Sequence, residues 1–258
     1  VVVLWMRLLG SLLMSFWLRV IQINDVYELD KLANLATLVK QSQLQGPDKT
    51  LCIVAGDFLA PSLLSSLDNA IGMVDCLNAV GVTHVCWGNH ETDIPMNQVA
   101  KRVEQSRFPW VNSNMREIDE KVGIETPKYS IVEIRKGEVT KRVCLLGLVT
   151  DDPSLYRPGA FGGSKIEPIQ EATERLLKII GETEKVDVFL PMTHQGIQQD
   201  REFAINFGKV FPIVMGGHDH EVFDEIHNDC RIIKTGHDAI NAAVIDFRWE
   251  GADSSELK

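Results

Sequence analysis

Positive charge is scarce in this sequence. Its 258 residues include 26 lysines and arginines against 36 aspartates and glutamates, a formal net charge of −10. So acidic a chain does not hold a nucleic-acid backbone non-specifically, and no nucleic-acid partner is expected. It also repels anionic substrates unless a site carries its own positive charge, which metal ions can supply. Paired cysteines are missing too. The five cysteines are odd in number and show no C-x-x-C spacing, and Cys52, Cys86 and Cys144 sit inside apolar runs. They read as reduced core thiols, which favours a reducing, cytoplasmic compartment. A long unbroken apolar run is also absent. The apolar stretch 1–18 is short for a membrane span and carries Arg7. No small-x-small cleavage site precedes Val20. The stretch starts at Val1 rather than Met, compatible with a fragment. It reads as a weak anchor, a degraded signal or translated sequence upstream of the true domain. The third reading is preferred, and no membrane partner is expected. There is no internal repeat and no low-complexity linker.

What is present is an alternation of strand and helix. Apolar runs at Val20–Asn24, Leu51–Ala55 and His84–Trp87 read as strands. Between and after them, Leu29–Leu44, Pro61–Val80 and Ile94–Gln105 read as helices, the second stopping at Gly81. Tyr129–Arg135 and Glu138–Thr150 form a hairpin around Lys136-Gly137. The alternation returns with a helix at Pro168–Ile180, a strand at Val186–Met192, a short helix at Arg201–Phe207 and a strand at Val210–Met215. The end is rich in strands, at Val222–Ile226, Arg231–Lys234 and Ala243–Trp249. This order predicts an α/β layer architecture with largely parallel strands, and a second sheet for the extra ones. Ligands of such sheets bind beyond the carboxyl ends of the strands.

Five apolar runs end in groups able to hold a metal. They are Asn24-Asp25-Val26-Tyr27, Gly56-Asp57, Gly88-Asn89-His90-Glu91 with Asp93, Thr193-His194-Gln195-Gly196, and Gly216-Gly217-His218-Asp219-His220. Carboxylate, amide oxygen and imidazole together suit hard or borderline divalent ions such as manganese, zinc, iron or magnesium. Each group alone has an ordinary explanation: Gly-Asp as a turn, Asp25 as a helix cap, His194 as a structural histidine. Five of them at strand ends in one chain favour a metal site.

These motifs, in this order from Asp25 to His220, resemble those of the calcineurin-like metallophosphoesterases. The Asn-Asp-Val-Tyr-Glu-Leu start and Asp93, three residues after His90, look most like the 5'-nucleotidase branch. The resemblance implies a four-layer α-β-β-α sandwich and two divalent metal ions. It implies that Asp57 bridges the metals, that Asp25 and His220 hold the first with Tyr27 in the remaining position, and that Asn89, His194 and His218 hold the second. His90 would contact the phosphate or leaving group with Asp93 orienting its ring, and Asn114 is a candidate near the phosphate. The implied reaction is hydrolysis of a small phosphorylated substrate, a nucleotide or phosphorylated sugar, by metal-activated water. A phosphodiesterase or nucleotide-sugar hydrolase with the same site is the near alternative. A non-catalytic metal- or phospholigand-binding member is the more distant one.

Two departures bear on this. The family usually has histidine where this chain has Tyr27. A phenol binds zinc or manganese less readily than iron at neutral pH, its unperturbed pKa being about 10. The first metal is then expected to be weaker, more hydrated or iron-selective, or Tyr27 only fills space. The preferred reading is that Tyr27 is not a strong ligand. Nucleotidases of this branch also carry a C-terminal domain that grips the nucleoside. Here residues 1–18 read as the apolar segment, 19–250 as one catalytic domain and 251–258 as a polar tail. His84 and the tryptophans Trp5, Trp17, Trp87, Trp110 and Trp249 read as packing. For His237 a substrate contact is conceivable but not favoured.

Overall fold

Leu51-Cys52-Ile53-Val54-Ala55 shows how the layers arise. Leu51, Ile53 and Ala55 point into one apolar cluster, Cys52 and Val54 into another, and all five are buried. A strand covered on both faces reads as a continuous apolar run, and successive side chains part to opposite faces. A computed structural model describes residues 15–251 of the chain. Its first sheet holds β1 (Ser15–Ile23), β2 (Lys49–Ala55), β3 (His84–Cys86), β4 (Trp110–Val111) and β11 (Ala243–Glu250) in the order β11-β1-β2-β3-β4. Only the β11 pairing is antiparallel. The second sheet holds β5 (Ser130–Lys136), β6 (Val139–Val149), β7 (Val188–His194), β8 (Ile213–Gly217), β9 (Val222–His227) and β10 (Cys230–Thr235) in the order β5-β6-β7-β8-β10-β9. Its centre is parallel and its two edge strands antiparallel.

The facing sheets enclose a core of Phe16, Leu18, Val20, Val143, Leu145, Leu190, Met192 and Met215, among others. Outside the first sheet pack α1 (Leu32–Leu44), α3 (Ile71–Val80), α4 (Met96–Gln105) and α5 (Ile118–Val122), through residues such as Leu35, Val74, Leu77 and Val99, with α2 (Leu63–Asp68) lying against α3. Outside the second pack α6 (Ile169–Thr183) and α7 (Ile197–Phe207), through Leu176, Ile180 and Phe203. The result is the four-layer α-β-β-α sandwich.

Three boundaries differ most from the sequence reading. β1 begins at Ser15, so residues 15–18, assigned to the apolar N-terminal segment, form part of the sheet: Phe16 and Leu18 are fully buried between the sheets. Residues 1–14, with Trp5 and Arg7, and residues 252–258 lie outside the described residues. The helix expected over Pro61–Val80 is two helices. Asn69 and Ala70 both take left-handed conformations, and the Asp68 carboxylate accepts from the N–H groups of Ala70 and Gly72 at 2.8 and 2.7 Å. α7 starts at Ile197 rather than Arg201. The cysteines are all unpaired thiols, four of them buried.

Candidate metal centre

β1, β2, β3, β7 and β8 end at one rim, and the chain leaves each strand on a short turn. Asp25, Asp57 and His218 hold φ of 53°, 52° and 81°, left-handed values that are uncommon outside glycine. Strain of this kind gathers where surrounding bonds over-determine a functional loop. Those bonds are present. The Asp25 and Val26 N–H groups donate to the Gly56 and Asp57 carbonyls at 3.1 and 2.7 Å. Asp25 Oδ2 accepts from Asn24 Nδ2 at 2.7 Å and from the His218 N–H at 2.8 Å. Two glycines give the side chains room. A Cβ on Gly56 would stand 2.3 Å from His194 Nδ1, and one on Gly88 would stand 2.1 Å from Asp57 Oδ1.

Asp57, His194 and His218 present ligand atoms that all lie within 4.8 Å of one another. His194 is fully buried, and its Nδ1 donates to the Ala55 carbonyl at 2.7 Å. In a neutral ring that would leave Nε2 as a lone pair, 3.0 Å from Asp57 Oδ2. Two lone pairs cannot face each other at that distance unless a cation or proton stands between them. Asn89 Oδ1 lies 3.0 Å from His218 Nδ1 in the same group. Two ligand atoms each about 2.1 Å from an ion, at right angles, are separated by about 3.0 Å. The residues present therefore fit a divalent ion.

Beside them, Tyr27 Oη lies 3.2 Å from Asp25 Oδ1, 3.4 Å from Asp57 Oδ2 and 3.1 Å from His220 Nε2. His220 Nε2 is 3.4 Å from Asp25 Oδ1. Burial first, and then the carboxylates of Asp57, Asp25 and Glu91, raise the phenol far above its ordinary pKa. In the metal-free protein Tyr27 is thus a neutral hydroxyl that donates to a carboxylate. His90 stands at the mouth, its ring edge-on to Tyr27. Its Nδ1 meets Asp93 Oδ2 at 2.6 Å, and its backbone N–H donates to Asp57 Oδ1 at 2.8 Å.

All the site residues picked out in the sequence come together here except Asn114. That side chain is buried, with Nδ2 donating to the Val149 and Glu167 carbonyls at 2.7 and 3.0 Å and Oδ1 accepting from the Val149 N–H at 3.0 Å. It braces the segment after β4 against β6, and its hydrogen bonds go to backbone groups of Val149 and Glu167. Other residues were missed. Glu91 is fully buried and accepts from the N–H groups of Asp57, Phe58, Leu59 and Gly88 at 2.5–3.2 Å, which fixes the turn that carries Asp57. Asp238 accepts from the Tyr27 and Glu28 N–H groups at 2.7 and 3.0 Å and from His237 Nδ1 at 2.7 Å. The motif Gly-Asn-His-Glu contained Glu91, but nothing local marks a glutamate that accepts backbone bonds from another turn.

Without metal, a proton on His194 is what separates the lone pairs. Burial opposes it, but the Asp57 and Asp25 carboxylates together hold His194 up at about 10. A group raised in the fold from 6.5 contributes stability that is complete below pH 6.5 and is lost as pH climbs towards 10. Chelated protein should melt at a lower temperature at about pH 8.5 than at about pH 6.5. Added zinc, which competes with that proton, should protect more at the higher pH. Calorimetry decides it: a chelated melting temperature that stays flat or rises would show that the His194–Asp57 pair is not the controlling titration.

The model of the calcineurin-like phosphoesterase family matches residues 18–222. Among curated proteins, a 5'-nucleotidase of Vibrio vulnificus is 27% identical over 183 residues, 66% of this chain and 32% of that protein. A 2',3'-cyclic-nucleotide 2'-phosphodiesterase/3'-nucleotidase of Haemophilus influenzae is 24% identical over 214 residues, 73% of this chain and 32% of that one. The chain thus spans about a third of the length of these relatives. Among solved structures, the NAD nucleotidase of Haemophilus influenzae superposes with a TM-score of 0.76 over 92% of this chain and 48% of that one, at 14% identity. The calcineurin-like phosphoesterase YfkN of Bacillus subtilis does so with 0.74 over 95% and 88%, at 19% identity.

Proposed function

The chain belongs to the calcineurin-like phosphoesterase family, and from that premise we propose that it is a metal-dependent hydrolase of phosphate monoesters, nucleotides or phosphorylated sugars, working at a two-ion centre. The observation that carries this reading is the His90–Asp93 pair beside the lone-pair cluster of Asp57, Asn89, His194 and His218. A structural site would need only the cluster. Asp57, Asn89, His194 and His218 would hold one ion, and Asp25, Asp57 and His220 the other, with the Tyr27 hydroxyl as a weak neutral ligand.

When bound, the metal supplies positive charge to the phosphate in an otherwise acidic chain and lowers the pKa of water. The chain's own residues do the rest. Asp93 holds Nδ1 of His90, which leaves Nε2 as the nitrogen that meets a phosphate or leaving-group oxygen. An imidazole so oriented can hand a proton to the departing alkoxide. The backbone N–H of His90 fixes Asp57 Oδ1, so the acid and the carboxylate keep a constant separation.

The test is phosphate release from AMP and from glucose 6-phosphate by purified protein with manganese, against a chelated control. Release that disappears on chelation supports the reading, and none from either ester would sink it. A diester is the second reading, favoured by the cyclic-phosphodiesterase name of the Haemophilus influenzae relative. Faster turnover of bis(p-nitrophenyl) phosphate than of the monoesters would select it.

A further inference from the structure

Lys234 lies on β10 with its side chain wholly out of solvent, an unusual place for an ammonium group. It runs across Gly216 of β8, where a Cβ would stand 2.9 Å from Lys234 Cε. Beyond that glycine its Nζ donates to the Gln195 carbonyl at 2.5 Å, the Gly217 carbonyl at 2.7 Å and Asp219 Oδ2 at 2.5 Å. It also pairs with Asp200 Oδ2 at 2.8 Å. Asp200 is fully buried in turn, and its Oδ1 accepts from Thr193 Oγ1 at 2.8 Å and Gln195 Nε2 at 2.9 Å.

The partners come from two connections. Thr193 and His194 end β7, Gln195 follows in the turn, and Asp200 stands in the first turn of α7, while Gly217 ends β8 and Asp219 stands between His218 and His220 on the way to β9. The two turns supply three of the metal-facing imidazoles, and one ammonium joins them. A buried ion pair gives little net stability beyond that of apolar residues of the same volume, and in some proteins its role is to fix geometry.

We propose that Lys234 is the positioning residue of the metal centre, clamping both turns so that His194, His218 and His220 stand at the separations a metal ion requires. The inference rests on the metal centre proposed above. Its test uses the full chain with Lys234→Met and with the charge-balanced pair Lys234→Met/Asp200→Asn. The single variant leaves the buried Asp200 carboxylate without its cation, so it should lose thermal stability. The pair should recover much of that stability.

In both variants zinc affinity, followed by competition with a coloured chelator, should fall about 10–100-fold. Amide exchange of metal-free protein should quicken together in residues 194–200 and 217–220, with protection elsewhere kept. Native zinc affinity in the charge-balanced pair would overturn the inference, as would quickened exchange in one turn only. Neither readout uses phosphate release. Wild-type protein that binds zinc but hydrolyses no ester would end the proposed function, while Lys234 would still be judged on affinity and exchange.

Discussion

His90→Ala protein should bind its metal as the wild type does and release phosphate about 10²–10⁴-fold more slowly. The two halves of that result come from different atoms of one residue. The side chain touches Asp93 through Nδ1, stands edge-on to Tyr27, and is half-exposed at the mouth. It contributes nothing to the Asp57–His194–His218 group. The backbone N–H, which survives in alanine, is what holds Asp57 Oδ1. Turnover and metal content should therefore separate, with metal counted per chain and rate measured on the same sample. Asp93→Asn is the companion. It keeps a side chain of the same shape but removes the charge that holds the imidazole in place, so its loss should be smaller than that of His90→Ala. Unchanged turnover in His90→Ala would remove the acid from the mechanism and leave a metal-binding domain.

Much of this candidate centre could be read from the sequence because each candidate ligand follows an apolar run within about five residues. A strand buried on both faces is visible as such a run, and its carboxyl end is where a parallel sheet offers a site. Asn114 obeyed the same rule, and the structure gives it a bracing role. A polar side chain after a short strand can equally satisfy a neighbouring strand's backbone, and its partners Val149 and Glu167 lie 35 and 53 residues along the chain. Lys234 and Glu91 were hidden for a related reason. Each binds several groups on turns distant in sequence, and neither carries a local signal beyond its charge. The break after α2 was hidden because one of its two left-handed residues is Ala70, a residue type that gives no such warning.

Tyr27→His should turn the weakly held second ion of the proposed centre into a firmly held one, and raise turnover at limiting manganese by about tenfold, since full occupancy by a second cation contributes several kcal/mol to the transition-state charge. The tyrosine oxygen lies 3.1–3.4 Å from Asp25, Asp57 and His220, the atoms a first ion would share. Its proton competes for those same lone pairs, and burial among carboxylates raises the energy needed to remove it. A neutral imidazole offers a lone pair with no proton to lose. Tyr27→Phe separates the two effects: it removes the competing proton but supplies no ligand, so its ion count should stay at one. Metal per chain after gel filtration, read by mass spectrometry, decides the matter. If wild type and Tyr27→His both carry two ions and turn over alike, the hydroxyl is itself a sufficient ligand. If both carry one and turn over alike, the chemistry runs on the Asp57–Asn89–His194–His218 ion with His90, and the first position is a place where Tyr27 orders Asp25 and His220 by hydrogen bonds.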